Sequence, residues 1–176
     1  MLNVQEELDK FKDYVIKQSK SNLTRLKKNS SKNLYNSIKG EAKAMPNSFY
    51  LNFEMEPYGN FIDKGVNGKK TAYSTPYSYK TKMPPPSKLD KWIVRKGLAP
   101  RNKDGKFSGR TINSVGFKKS IQFLIARKIF MYGIKPSLFF TKPFEKAYKN
   151  LPEELIVKYG LDASELFKHT IQQPKK

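Results

Sequence analysis

Residues 125–148 read IARKIFMYGIKPSLFFTKPFEKAY. This stretch closes one helix, turns a short apolar corner and opens another. Gly133 and Pro136 punctuate the first boundary, and Thr141 and Pro143 the second. Working backwards from Gly133, Phe117, Ile121, Leu124, Ile125 and Ile129 recur at helical spacing, predicting a helix from about Val115 to Tyr132 with these residues inward. Ser114 stands where it can cap that helix. Thr141 and Pro143 should start a helix carrying Phe144, Ala147, Tyr148 and Leu151. The corner residues Pro136, Phe139, Phe140, Pro143 and Phe144 are therefore candidates for a packing device. Two of the three phenylalanines are expected in the domain's own core, leaving part of the corner for contact with a neighbouring subunit.

Upstream, residues 3–28 predict one long helix. Val4, Leu8, Phe11, Val15, Leu23 and Leu26 recur at steps of three or four, with a polar gap at Gln18–Asn22. Acidic residues sit in its early turns and basic ones in its last, which complements the helix dipole. Two strands are expected next, at about Leu34–Ala44 and Ser48–Met55, joined by a Met45-Pro46-Asn47 connection. The second alternates with a period of two. The run Tyr58–Gly65 (YGNFIDKG) follows Pro57. Residues 66–86 lack regular periodicity and interleave Tyr73, Tyr77 and Tyr79 with lysines. A short helix should follow Pro84-Pro85-Pro86, with Ser87 as N-cap, Asp90 three residues later, and Leu89, Trp92 and Ile93 on one face. Gly97 should end it. Residues 100–113 form a polar, glycine-rich loop with an Asp104-Gly105 turn. A last short helix is expected beyond Asp162, ahead of a frayed tail.

These elements predict an α+β chain: a long N-terminal helix on a small, mostly antiparallel sheet, with further helices in the C-terminal half. The expected organisation is one domain over 1–160 carrying a basic insertion at about 66–113, then a short helix and tail over 161–176.

The 176-residue chain has 35 basic and 15 acidic residues, a net charge of +20, and no cysteine. The missing thiols exclude disulfides, thiolate metal sites and a cysteine nucleophile. No apolar run approaches the ~20 residues needed to span a bilayer, so no membrane partner is expected. Between Lys64 and Lys119 the net charge is +13. Lys69, Lys70, Lys80, Lys82, Arg101, Lys103, Lys106 and Arg110 are the candidate contact residues there. The segment suits a DNA backbone or an acidic protein surface, and both stay open. Thirty lysines against five arginines favour non-specific phosphate contact over base reading.

Catalytic signals are weak. His169 is the sole histidine and has no carboxylate neighbour except Glu165. Glu54 and Glu56 fall on one face of the expected strand, with Asp63 nearby. That arrangement reads more simply as a solvated strand face and a turn aspartate than as a two-carboxylate metal site. Gly68-Lys69-Lys70-Thr71 lacks the upstream glycine of a phosphate loop. No catalytic residue, metal or cofactor is assigned, and no enzymatic activity is expected.

Taken in order, these motifs resemble the tail-completion or neck (head–tail connector) proteins of tailed bacteriophages over roughly residues 1–160. The matching features are the N-terminal amphipathic helix, Asn33-Leu34-Tyr35-Asn36-Ser37-Ile38 at the first strand, and Tyr58–Gly65. They continue through Trp92-Ile93 and the block Ala126-Arg127, Ile129, Gly133-Ile134, Pro136, Phe139-Phe140 and Pro143-Phe144. Ser30-Ser31-Lys32-Asn33 replaces the family's usual threonine-glycine turn. The resemblance implies a structural virion protein that forms a ring at the head–tail junction, assembled in the host bacterial cytoplasm. Its implied partners are copies of itself and portal, adaptor or tail proteins, with packaged double-stranded DNA as a sequence-independent contact. The second function class consistent with the residues is a non-specific DNA-binding protein acting in packaging or replication.

Overall fold

A computed structural model describes residues 4–45, 48–98, 101–106, 108, 115–151, 153 and 155. The chain is α+β. Its elements are α1 (Val4–Arg25), α2 (Asn33–Ser37), β1 (Lys39–Ala44), β2 (Phe49–Glu54), α3 (Gly59–Lys64), a 3-10 turn (Pro86–Leu89), α4 (Asp90–Arg95), α5 (Val115–Tyr132) and α6 (Thr141–Lys149). The expected Pro46-Asn47 connection, the capping Ser114 and the helix beyond Asp162 lie outside the described residues. Among the described residues, no helix is long and apolar enough to cross a membrane.

The chain divides into two compact units, Met1–Asp63 with Ser137–Lys176, and Lys64–Pro136. The second takes in the whole 66–113 segment and adds α5. Charge follows this division. Lys64–Pro136 holds 18 basic and two acidic residues, while the rest of the chain holds 17 and 13.

In the first unit, α1 lies on the antiparallel β1–β2 hairpin and against α6. Leu8, Phe11, Val15, Ser19 and Leu23 form its buried stripe, so Ser19 fills the polar gap seen in the sequence. Leu26 is exposed, beyond the helix end. Gly40 lets the helix approach: a Cβ there would lie 3.0 Å from Lys12 Cγ and from the Phe53 ring. Gln5 takes up backbone groups of β1, donating to the Ala42 carbonyl at 3.0 Å and accepting the Ala44 N–H at 2.7 Å. These bonds occupy main-chain groups of a strand that would otherwise need another partner.

The core is aromatic. Phe53 meets Phe140 edge-on at a centroid distance of 5.3 Å, and Phe11 meets Phe144 edge-on at 5.3 Å. Such offset and edge-on contacts add to the burial of the rings themselves. Val15, Leu23, Leu34, Ile38, Leu51, Phe139, Ala147, Leu151 and Leu155 pack in the same cluster.

The expected strand start at Leu34 is not a strand. Asn33–Ser37 is a helical turn, and β1 begins only at Lys39. Leu34 and Ile38, both buried, are four residues apart, which is helical spacing. Ser37 secures the turn, donating to the Leu34 carbonyl at 3.0 Å and accepting the Glu56 N–H at 3.0 Å.

In the second unit, the 3-10 turn and α4 pack on α5. Ser87 is not the cap of α4. It lies inside the 3-10 turn, where its carbonyl accepts the Asp90 N–H. Ile93 is fully buried, whereas Trp92 is 37% exposed. Gly97 ends α4 in the left-handed region at φ 60, as its position in the sequence implies. Along α5, Gln122 and Ala126 are buried and Leu124 is exposed, which corrects the inward position expected for Leu124.

Candidate functional site

The part of the corner from Ser137 to Thr141 is tied to α3 through Asp63. Its side chain is 2% exposed. One carboxylate oxygen accepts the Phe140 N–H at 2.8 Å and the Thr141 N–H at 3.3 Å, and the other accepts the Thr141 hydroxyl. The first N–H groups of α6, unpaired within the helix, thus receive a carboxylate from α3. Phe140 occupies the cap position itself and supplies no side-chain bond. The backbone adds two links: the Ser137 N–H donates to the Asp63 carbonyl at 3.0 Å and the Leu138 N–H donates to it at 2.9 Å. Leu138 is held in the left-handed region at φ 49.

Phe139, Phe140 and Phe144 are all within 1% of full burial, and Pro143 is buried. All three rings, rather than two, fill the chain's own core. Pro136 is half-buried in the other unit. The exposed parts of the corner are Lys135 and Lys142.

This geometry also places the acidic candidates. Glu54 is the last residue of β2 and is exposed, while Glu56 lies beyond the strand and is half-buried. The expected shared strand face is therefore absent, and Asp63 is engaged in capping on α3. Among the described residues, no group of three or more acidic, histidine or cysteine side chains is placed to hold a metal ion. His169 lies outside the described residues.

The basic segment is organised by Asn67, which sequence reasoning missed. Its N–H donates to the Tyr77 carbonyl at 2.8 Å, and its carbonyl accepts the Tyr79 N–H at 3.0 Å. Its side chain accepts the Tyr73 N–H at 2.5 Å and donates to the Thr75 carbonyl at 3.0 Å. The nearest sequence signal was its position between Gly65 and Gly68. Four bonds through one residue give a segment without regular periodicity a fixed course.

Gly68-Lys69-Lys70 has its main-chain N–H groups committed to the protein. The Lys69 N–H donates to the Phe130 carbonyl at 3.0 Å and the Lys70 N–H to the Met131 carbonyl at 2.7 Å. These carbonyls end α5 and would otherwise lack partners. The two lysines also bring positive charge to the negative end of the helix dipole. Lys69 Nζ lies 5.9 Å from the Phe130 ring centroid. The close approach requires glycine twice. A Cβ on Gly68 would fall 2.4 Å from the Gly133 nitrogen, and one on Gly133 would fall 2.1 Å from the Val66 carbonyl oxygen.

Lys69, Lys70, Lys80, Lys82, Arg101, Lys103 and Lys106 are all exposed, and Arg110 lies outside the described residues. Arg101 donates to the Gly105 carbonyl at 2.8 Å, holding the turn at Asp104-Gly105. Tyr73, Tyr77 and Tyr79 are half-buried. Tyr79 packs edge-on to Phe130 at 6.5 Å, and burial raises its phenol pKa. These tyrosines serve the internal packing of the segment as well as its surface. Chemically, the described part of the segment offers exposed basic groups, suited to polyanion contact.

No protein-family model matches the chain, and no curated protein or solved structure matches it.

Proposed function

We propose that the chain is a structural virion protein of a tailed bacteriophage. It forms a ring at the head–tail junction, as a neck, connector or tail-completion subunit, joining portal-side proteins to the tail around the DNA channel. The observation that carries this reading is the meeting of two motif blocks that resemble the neck family. Asp63, from the Tyr58–Gly65 run, caps the helix that begins within the Gly133–Phe144 block. Parts of the two motifs that are far apart in the chain, Asp63 and Phe140-Thr141, meet within the first unit. The α+β architecture, with a long helix on a hairpin, suits the same reading.

The charge distribution supplies a physical role for Lys64–Pro136. Eighteen basic residues against two acidic ones attract packaged DNA or acidic surfaces of neighbouring ring proteins. A cryo-EM map of the assembled particle tests the reading. Density for this fold, repeated around the channel between portal and tail, is expected. A complete junction built from other chains would overturn it.

The second reading is a non-specific DNA-binding protein of packaging or replication, favoured by the same charge excess. It predicts DNA binding by a protein that is absent from finished particles.

A further inference from the structure

Trp92 is the one tryptophan of the chain and is 37% exposed. It sits on α4, whose helical course continues from the preceding 3-10 turn through Leu89 and Asp90, both in the right-handed region. On such a course Lys88, Arg95 and Lys96, at four before and three and four after, neighbour the indole. Lys91 precedes it directly. All four basic side chains are exposed. The neighbouring Ile93 is fully buried and anchors the helix, so the exposed indole does not supply that anchor.

The only carboxylate on α4 is already paired. Asp90 is paired with Lys118 on α5 at 2.6 Å and also accepts a hydrogen bond from Gln122 of α5. Its negative charge is thereby engaged by α5. The outer side presents an aromatic face among four cations. Lysines alone suffice for a duplex backbone. An exposed indole adds a surface on which an unpaired base can stack.

We infer that α4 is a binding site for single-stranded nucleic acid. Trp92 stacks on a base, while Lys88, Lys91, Arg95 and Lys96 neutralise the flanking phosphates. The site takes any sequence, because every base has a π-face. It does not depend on the ring assignment: the chain can be a virion component without it, and can have it without being one.

The intrinsic fluorescence of Trp92 reports directly on the site in the full chain. A single-stranded oligothymidylate is expected to quench it. Affinity should fall with salt at a log–log slope of about −3, as four phosphate contacts on a single strand imply. Trp92→Ala, with binding read by anisotropy of a labelled oligonucleotide and folding by circular dichroism, should weaken binding roughly tenfold. Trp92→Phe should weaken it less. If Trp92→Ala fails to fold, the Lys88→Gln/Arg95→Gln double variant replaces it, with Trp92 still reporting and a shallower salt slope expected. Oligodeoxynucleotide and oligoribonucleotide arms of equal length distinguish DNA from RNA, and quenching by either supports the site. Equal quenching by duplex or by polyglutamate would overturn it. So would the absence of binding at low salt, or binding that leaves Trp92 fluorescence unchanged.

Discussion

The Asp63 carboxylate accepts the Phe140 N–H at 2.8 Å, across 77 positions of the chain. The same side chain takes the Thr141 N–H and hydroxyl. One buried acid therefore starts α6 and fixes the corner that delivers Phe139, Phe140 and Phe144 to the core. Asp63→Ala should destabilise the protein by about 2–4 kcal/mol, because it leaves buried donors without an acceptor. Asp63→Asn keeps one acceptor oxygen and should cost about 1 kcal/mol. Urea denaturation followed by circular dichroism gives both values. Equal stability of Asp63→Ala and the parent would refute the capping role.

Gly68 and Gly133 make a second contact that tolerates no side chain. Gly68→Ala and Gly133→Ala should each cost at least ~2 kcal/mol, since the new Cβ meets backbone rather than a movable side chain. Gly97 and Gly105, like Gly133, have positive φ, but open space surrounds the position of their Cβ. Alanine there should cost only about 1 kcal/mol of conformational strain. Thermal melts of the four variants should separate into these two pairs. A melt of Gly68→Ala matching that of Gly97→Ala would contradict the close approach.

Tyr79 gives an alkaline signature. Burial raises its pKa above the ordinary value of 10.0. A group whose pKa is higher folded than unfolded contributes fully below its unfolded pKa, and loses that contribution as pH rises through the folded one. Stability should therefore begin to fall above about pH 10. Tyr79→Phe keeps the ring against Phe130 and should flatten part of this decline. Denaturation midpoints across pH 9–11 provide the check, and superimposable profiles for the two proteins would count against it.

Net charge sets the assembly behaviour. At +20, copies repel one another, so the proposed ring requires DNA or an acidic partner before it packs tightly. The isolated protein should sediment mainly as a monomer at physiological salt, with rings forming on the partner. A stable isolated ring under those conditions would contradict this.

Much of the fold was legible because α1 and β2 write their periodicity plainly, and because Gly133 stops α5 where a helix-ending glycine should. Other features depend on partners that local sequence does not reveal. Leu34–Ser37 read as strand although Leu34 and Ile38 carry helical spacing. On α5, apolar residues occupy more than one face, so periodicity alone did not identify Leu124 as exposed and Gln122 as buried. Ser87 and Asp90 have capping-box spacing, yet Asp90 is engaged by α5 instead. At the candidate site, the lysines were recognisable by composition. Asn67 was not, and Asp63 read only as a turn aspartate, because their roles arise from carbonyls and N–H groups brought together by folding. Leu138 carries no sequence mark of its left-handed conformation.

The most direct test of the central claim is the copy number of this chain in purified phage particles, measured by quantitative mass spectrometry against the portal protein. One ring's worth of copies per particle, retained through purification, is expected of a neck subunit. Absence of the chain from intact, infectious particles would overturn the neck reading.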